Sequence, residues 1–153
     1  MKYTLDISIT IVLLIIVVWY VYKPLPYFSL DSLLLHDLEG KPMSLDQKKL
    51  ILHLSNIECG SCKRDTQILM RFHLKHPEYT IIDANILYKE TDKEKLLSWK
   101  KTVDIQYPLA IILDDSTIPY PIPTTLVING TETTKILGAL SHTKLLEATN
   151  IDR

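Results

Sequence analysis

The sequence predicts an α/β sandwich, in which helices cover the faces of one central sheet, preceded by an N-terminal transmembrane helix. Three observations predict this fold class. Short apolar runs of the buried-strand type recur along the chain, helix signals separate the first of these runs, and one long uncharged segment stands alone at the N-terminus. A length of 153 residues fits one domain with such an appendage.

The N-terminal segment is the first element. Residues 7–22 carry no charge, and together with residues 3–6 they reach about the twenty residues that a bilayer crossing requires. Aromatic residues crowd one end of the segment, where an aromatic belt would lie. A cleaved signal peptide is the alternative, but no small-residue cleavage site follows the segment. We therefore expect a membrane anchor over residues 1–23 and a globular domain over residues 24–153.

The globular part alternates strands and helices before it ends in a hairpin and a helix. The predicted order is a turn at 38–41, a strand at 49–54, a helix at 61–76, a strand at 79–86, a helix from 91, strands at 108–113, 125–128 and 135–139, and a helix from 141. Pro77 ends the first helix, a capping box starting at Thr91 opens the second, and Ser141 can cap the last. Parallel strands joined by helices are expected in the first half and a hairpin in the second.

Charge and cysteine content restrict the function. The chain has 17 Lys and Arg against 18 Asp and Glu, without a block of like charge, so it lacks the basic face that a nucleic-acid partner requires. Cys59 and Cys62 are the only cysteines and lie three positions apart. A disulfide between them closes a very small loop and adds little stability. Their spacing therefore indicates chemistry rather than a structural staple.

The Cys59-Gly60-Ser61-Cys62 motif stands where a buried strand ends and a helix begins. Unpaired N–H groups and the helix dipole stabilise an anion at that position, so Cys59 is the expected nucleophilic thiolate. Cys62 lies one turn further along and should be more buried, where it can attack the mixed disulfide that Cys59 forms. The motif predicts a thiol–disulfide oxidoreductase that acts on a disulfide-bearing protein and needs no cofactor.

Metal binding is an alternative function of a different class. Cys59, Cys62, His73 and His76 could serve as four zinc ligands, but His73 would lie about 16 Å along the helix from Cys62. We expect no metal and interpret both histidines as solvated residues near a helix end. A copper chaperone would need one more residue between the cysteines. A peroxidase would need a Pro-x-x-x-Thr-x-x-Cys pattern that is absent before Cys59.

A second signal lies about sixty residues downstream. Pro123 directly precedes the predicted strand at 125–128 and is a candidate for a cis peptide bond. The alternative is an ordinary turn proline, as we expect for Pro119 and Pro121.

Residues 28–149 resemble the extracytoplasmic thioredoxin-like family of TlpA, ResA and CcmG type. The similar stretches are Glu39-Gly40-Lys41, Cys59 to Asp65, and Pro123 to Gly130. The resemblance implies a thioredoxin-like three-layer sandwich outside the cytoplasm, on the periplasmic side, held by a single membrane-spanning helix. It also implies a reductant of protein disulfides, such as those of apocytochrome c during cytochrome c maturation. A membrane electron donor of CcdA or DsbD type re-reduces such proteins.

The resemblance also implies roles for individual residues. In the thioredoxin fold the loop of Ile122, Pro123 and Thr124 faces the cysteines, and its backbone offers an edge to an extended substrate. ResA-like members carry a catalytic-site glutamate three residues beyond the second cysteine, and Asp65 occupies that place.

The sequence departs from the family pattern at two positions. Glu58 precedes the first cysteine, where family members usually carry Trp. His53 lies six residues before Cys59, where thioredoxins have a buried aspartate and relatives often an asparagine. His53 is either a hydrogen-bonded core residue or a proton acceptor for Cys62 during resolution.

The charges beside Cys59 bear on the direction of the reaction. Glu58 and Asp65 place negative charge near the sulfur and should raise the pKa of the thiol, whereas Lys63 and Arg64 can turn to solvent. Strong oxidants stabilise their reduced form, so this balance favours a reductant. A disulfide-forming oxidant or isomerase of the same fold is the alternative.

Overall fold

The computed structural model describes residues 12, 33–112, 118 and 120–151. The predicted anchor at 1–23 lies outside these residues, apart from Val12. Within the described residues, no helix combines the length and the apolar character that a membrane crossing requires.

Six strands and three helices form the described part of the chain. They are β1 (Leu35–His36), β2 (Lys49–Ser55), α1 (Gly60–Lys75), β3 (Thr80–Ile86), α2 (Glu90–Val103), β4 (Leu109–Ile112), β5 (Thr124–Asn129), β6 (Glu132–Leu137) and α3 (His142–Thr149). The predicted alternation is confirmed. The last strand begins earlier than the predicted 135–139, because Gly130 takes a φ of 62° and a turn of two residues leads straight from β5 into β6.

The strands form one sheet in the order β1-β4-β3-β2-β5-β6. β2, β3 and β4 run parallel, as predicted for the first half, while β5 pairs antiparallel with β2 and β6 pairs antiparallel with β5. The predicted turn at 38–41 is present, with Gly40 at a φ of 88° and a single bridge between His36 and Pro42. Leu54 pairs with Thr124, so the segment before β5 reaches the same sheet end as the cysteines.

All three helices pack on one face of the sheet. Because β2, β3 and β4 lie side by side in that order, two right-handed crossovers place α1 and α2 on the same side. The core on this face unites strand residues such as Ile51 and Val127 with Leu69 of α1, Leu96 of α2 and Leu145 of α3.

The other face of the sheet is apolar and is covered by extended segments. The residues that pack on it from outside the sheet are Leu33, Met43, Leu45, Ile118, Tyr120 and Ile122. Among the described residues no helix packs on this face, so the third layer of helices that the resemblance implies is not found in this part of the chain. The helix-covered face is the one that carries the candidate site.

Helix α1 forms because its sequence supplies both its ends and its buried stripe. Cys59 is the N-cap, and the helix stops at Lys75, ahead of Pro77. Asp65, Leu69 and Phe72 are buried on one stripe with Cys62, at spacings of three and four residues as predicted. The stripe presses the first turn of α1 against the ends of β2 and β3.

Candidate active site

Cys59 and Cys62 form a disulfide with an S–S distance of 2.09 Å. The Sγ of Cys59 accepts a hydrogen bond from the backbone N–H of Cys62 at 3.1 Å and lies 3.3 Å from the Ser61 hydroxyl. Cys59 is half-buried, whereas Cys62 is only 4% exposed. The predicted positions are confirmed, with Cys59 at the helix N-terminus and Cys62 as the more buried partner.

Asn56 holds the loop that carries Cys59. Its side-chain amide donates to the carbonyl of Ile86 at 2.7 Å, and its side-chain oxygen accepts from the N–H of Glu58 at 2.8 Å. Its own carbonyl accepts from the N–H of Cys59 at 3.0 Å. Three hydrogen bonds thus tie the start of α1 to the end of β3 and position the first cysteine.

Glu58 is exposed and forms a salt bridge with Lys95 of α2. Lys95 also lies 3.6 Å from a carboxylate oxygen of Asp92. The hydrogen bond and charge of Lys95 lower the pKa of Glu58, so Glu58 is ionised but its charge is compensated. Its expected effect on the Cys59 thiol is therefore weaker than the sequence predicts. Lys95 lies 37 positions from Glu58 in the sequence, so no local sequence pattern predicts this salt bridge.

A groove of about 290 Å³ opens beside this salt bridge, between the start of α1 and the outer side of α2. Its lining consists of Ile57, Glu58, Lys63, Lys95, Ser98, Trp99 and Thr102. The Lys63 ammonium lies 5.7 Å from the centre of the Trp99 ring, within range of a cation–π contact. The groove includes Glu58, the neighbour of Cys59 in the chain, and the segment before β5 reaches the same end of the sheet.

His53 is completely buried in β2, between Asp83 of β3 and Thr125 of β5. Its Nδ1 lies 2.9 Å from the Thr125 hydroxyl, and its Nε2 lies 4.0 Å from an oxygen of Asp65. Burial lowers the pKa of His53 to about 4, so the ring is neutral at pH 7 and its contact with Asp65 is not a salt bridge. This geometry favours the core interpretation of His53.

Asp65 is 1% exposed and lies one turn below Cys62 on α1. Burial raises the pKa of its carboxyl, while the Leu140 N–H and the charges of Arg64 and Lys144 act in the opposite direction. The carboxyl faces His53 and the chain that follows β6. No hydrogen bond links it to either sulfur in the described part of the structure.

Asp83 is a second buried carboxyl that sequence reasoning missed. It is 5% exposed, and its Oδ1 accepts hydrogen bonds from the Ser55 hydroxyl and from the Asn85 amide. Burial raises the pKa of Asp83 to about 7, and the charge of Asp65 adds to this effect. The sequence does contain a signal for this residue, because Asp83 and Asn85 alternate with apolar residues in the strand. They therefore face the same side of the sheet as Ser55.

The peptide bond between Ile122 and Pro123 is cis, as predicted for this proline. The carbonyl of Pro123 accepts from the N–H of Gly138 at 2.9 Å, and the Thr124 hydroxyl donates to the carbonyl of Pro121 at 2.6 Å. Among the described residues, nothing bonds to the backbone N–H or C=O of Ile122. Of the three predicted substrate-binding residues, Ile122 therefore keeps its backbone groups available.

Solved structures of disulfide oxidoreductases share this architecture. A secreted Mycobacterium tuberculosis disulfide oxidoreductase homologous to Escherichia coli DsbE superposes with a TM-score of 0.66 at 14% identity, over 77% of this chain and 94% of that one. StoA from Bacillus subtilis gives 0.62 at 21% identity, over 76% and 94%. The exposed lipoprotein thioredoxin of Streptococcus pneumoniae gives 0.62 at 16% identity, over 77% and 97%. The chain has a thioredoxin-like fold.

The likeness of this thioredoxin-like chain to known proteins is structural. No protein-family model matches the sequence, and no curated protein matches it. The register of β2 with β5 brings the cysteine pair and the cis-proline segment to one end of the thioredoxin-like sheet.

The two histidines considered as zinc ligands in the alternative interpretation pack on aromatic rings. The ring of His73 lies 6.2 Å from that of Tyr107, and the ring of His76 lies 4.5 Å from that of Phe72. Both are partly buried rather than solvated as predicted. Within the described ranges, no group of three or more His, Cys, Asp or Glu side chains is placed to hold a metal ion.

Proposed function

We propose that the protein is an extracytoplasmic thiol–disulfide oxidoreductase that reduces disulfides in other proteins. One observation carries the proposal: the half-exposed Cys59 sits at a helix N-terminus with the buried Cys62 directly behind it. This asymmetry supplies one nucleophile and one resolving thiol within a single helical turn. Residues 1–23 would anchor the domain, and two neighbours of the same fold are a secreted protein and an exposed lipoprotein.

The reaction starts from the reduced pair. The Cys59 thiolate attacks one sulfur of the substrate disulfide, that bond breaks, and the other substrate sulfur leaves as a thiolate. Cys62 loses its proton and attacks Cys59 in the mixed disulfide, which releases the second substrate sulfur. Two electrons have then passed to the substrate, and the chain holds the Cys59–Cys62 disulfide seen in the structure.

Ile122 is the proposed docking point for the substrate backbone. Its N–H and C=O make no hydrogen bond in the described structure, and the β2–β5 register places it at the cysteine end of the sheet. An extended substrate could pair with these groups in the manner of an added strand. Pro123 and Thr124 support this position through their own bonds to Gly138 and Pro121.

The groups around Cys59 favour a reductant. In the described structure its sulfur contacts one backbone N–H and the Ser61 hydroxyl, and neither residue between the cysteines is basic. Moderate stabilisation of the thiolate keeps the reduction potential low, whereas strong oxidants stabilise it much more. Apocytochrome c fits as a substrate and a CcdA- or DsbD-type carrier as the donor, on the strength of the family resemblance.

Reduction of insulin by the full-length protein in detergent tests the activity, and a redox titration against glutathione tests its direction. We expect insulin turnover and a midpoint potential of about −270 mV, as in thioredoxin. A potential of about −120 mV, as in DsbA, would favour the oxidant. Copper titration of the reduced protein addresses the metal-binding alternative, because tight copper binding without insulin turnover would contradict the proposal.

A further inference from the structure

A small cavity of about 10 Å³ lies behind Cys62, between the first turn of α1 and the ends of β2 and β3. The polar side chains that line it, besides Cys62, are those of Ser55, Asn56, Lys63, Thr66, Asp83 and Asn85. Among the described residues that line it, Asp83 alone carries a carboxyl group. A space of this size is close to what one water molecule needs. Cys62 and Asp83 therefore line the same water-sized space.

Cys62 needs a proton acceptor on this inner side. Burial disfavours a thiolate, so the pKa of a thiol that is 4% exposed is expected to lie above the ordinary value of about 8.5. A base whose pKa is near the working pH assists such a proton transfer most effectively. The acceptor must also lie within reach of the sulfur, directly or through one water.

His53, the proton acceptor that the sequence suggests, and the buried carboxyl of Asp65 are both directed elsewhere. His53 uses Nδ1 on the Thr125 hydroxyl and turns Nε2 toward Asp65, 4.0 Å away. Neither His53 nor Asp65 is among the residues that line the cavity behind Cys62.

Asp83 combines a pKa near the working pH with a place in the same cavity lining as Cys62. Its Oδ1 is occupied by Ser55 and Asn85, while no described residue hydrogen-bonds to its Oδ2. The polar groups that face its carboxyl come from every neighbouring element: Ser55 and His53 of β2, Asn85 of β3, Asp65, Thr66 and Lys63 of α1, and Tyr107 ahead of β4. Burial is the largest of the effects that place the pKa of Asp83 at about 7.

We propose that Asp83 accepts the proton of the Cys62 thiol when Cys62 attacks the mixed disulfide. This inference rests on the proposed function. The Cys62 S–H bond breaks, its electron pair forms the bond to Cys59 Sγ, and the substrate sulfur leaves with the electron pair of the mixed disulfide. Asp83 holds the proton until it passes to the departing thiolate or to water. When the pair is reduced again, Asp83 takes up a proton from water and delivers it to Cys62.

The test separates the two steps with Ellman's reagent, 5,5′-dithiobis(2-nitrobenzoate). Reduced full-length protein is mixed with it in a stopped flow from pH 5 to 9. The first release of coloured thiolate reports attack by Cys59, and the second reports resolution by Cys62. For wild type we expect the second rate to rise through an inflection near pH 7. For Asp83→Asn we expect the second rate to be about 10²-fold lower at pH 7 and to keep rising with pH beyond 8.5. The first rate should change less than twofold.

Two further variants guard against a purely structural effect. Ser55→Ala keeps the carboxyl but removes a hydrogen bond that lowers its pKa, so the inflection should move up by about one pH unit. Asp104→Asn makes the same chemical change at an exposed helix end and should leave both rates as in wild type.

The possible results lead to different conclusions. An unchanged second rate and inflection in Asp83→Asn would overturn this inference while leaving the proposed function intact. Loss of the first rate together with the second would also overturn it, because the substitution would then act on the structure as a whole. Absence of the first release in wild type would contradict the proposed function itself.

Discussion

The two sulfurs of one disulfide lie in very different surroundings. Cys59 is half-exposed, next to an open groove and the surface pair of Glu58 and Lys95. Cys62 is buried and lines a small cavity together with Asp83. On the outer side water and a salt bridge screen the charges, whereas on the inner side one titrating group determines where a proton goes. The difference explains how two residues three positions apart can take opposite roles.

Removal of either cysteine has the largest expected effect. Cys62→Ala should retain the nucleophile and accumulate mixed disulfides with partner proteins in cells, because nothing resolves them. Cys59→Ala should lose turnover equally but trap no partner. Non-reducing gels followed by mass spectrometry of the captured proteins make the measurement.

The double variant, with both cysteines replaced, is the matched control and should capture nothing. Recovery of apocytochromes with Cys62→Ala would support the cytochrome c branch of the proposal. Trapping by Cys59→Ala instead would contradict the assigned roles.

A stability measurement tests the buried surroundings of Cys62, where Asp83 lies. The folded-state pKa of Asp83, about 7, lies above its ordinary value of 3.8, so folding favours the protonated form. The buried Asp83 carboxyl therefore makes its full contribution to the free energy of unfolding below pH 3.8, and this contribution is lost as the pH rises toward 7. Asp83→Asn should therefore raise the free energy of unfolding by at most about 4 kcal/mol at pH 8, and hardly change it near pH 4.

Urea unfolding at both pH values is the measurement, with Asp104→Asn as the control. A gain of the same size at both pH values would show that titration of Asp83 is not the cause. A substitution that stabilises the fold while it slows resolution would be a trade-off between stability and activity.

The hydrogen bond between His53 and Thr125 belongs to the same buried region. Thr125→Val keeps the shape of the side chain but leaves Nδ1 of a fully buried histidine without its partner. We expect a loss of about 1–3 kcal/mol in unfolding free energy. Thr133→Val on the exposed side of β6 should change it by less than about 0.5 kcal/mol. Equal effects of the two variants would contradict the assigned bond.

Disruption of the surface salt bridge between Glu58 and Lys95 should have the smallest effect. Lys95→Gln leaves the Glu58 carboxylate uncompensated beside Cys59, which disfavours the thiolate and raises the pKa of the thiol. We expect a rise of less than about one unit, because solvent screens exposed charges. Adding Glu58→Gln should reverse the rise, and Lys101→Gln at the exposed end of α2 should produce none. The pH dependence of Cys59 alkylation measures the change.

Local patterns in the sequence predict most of the fold. Apolar runs, Pro77 and the Ser141 cap place the strands and helices close to their observed positions, because these signals act within a few residues. The placement of α1 and α2 on the same face was not predicted. It follows from the order of β2, β3 and β4 in the sheet, and strand order is not visible in any single segment.

The residues of the candidate site also differ in whether the sequence predicts them. Cys59, Cys62 and Pro123 belong to short motifs, and the family resemblance implies that they meet at one end of the sheet. Lys95 could not be predicted, because its pairing with Glu58 depends on how α2 docks. Asp83 is partly predictable. Its alternation with Asn85 indicates a polar face on β3, but only the register of β3 with Ser55 of β2 shows that this face lies behind Cys62.

The central claim is that Cys59 and Cys62 differ in reactivity because their surroundings differ. The most direct measurement is the alkylation rate of each thiol in the reduced full-length protein, followed by mass spectrometry as the pH is varied. We expect Cys59 to react first, with a pKa below about 8.5, and Cys62 to resist until a higher pH. Faster alkylation of Cys62, or indistinguishable profiles for the two thiols, would contradict the account.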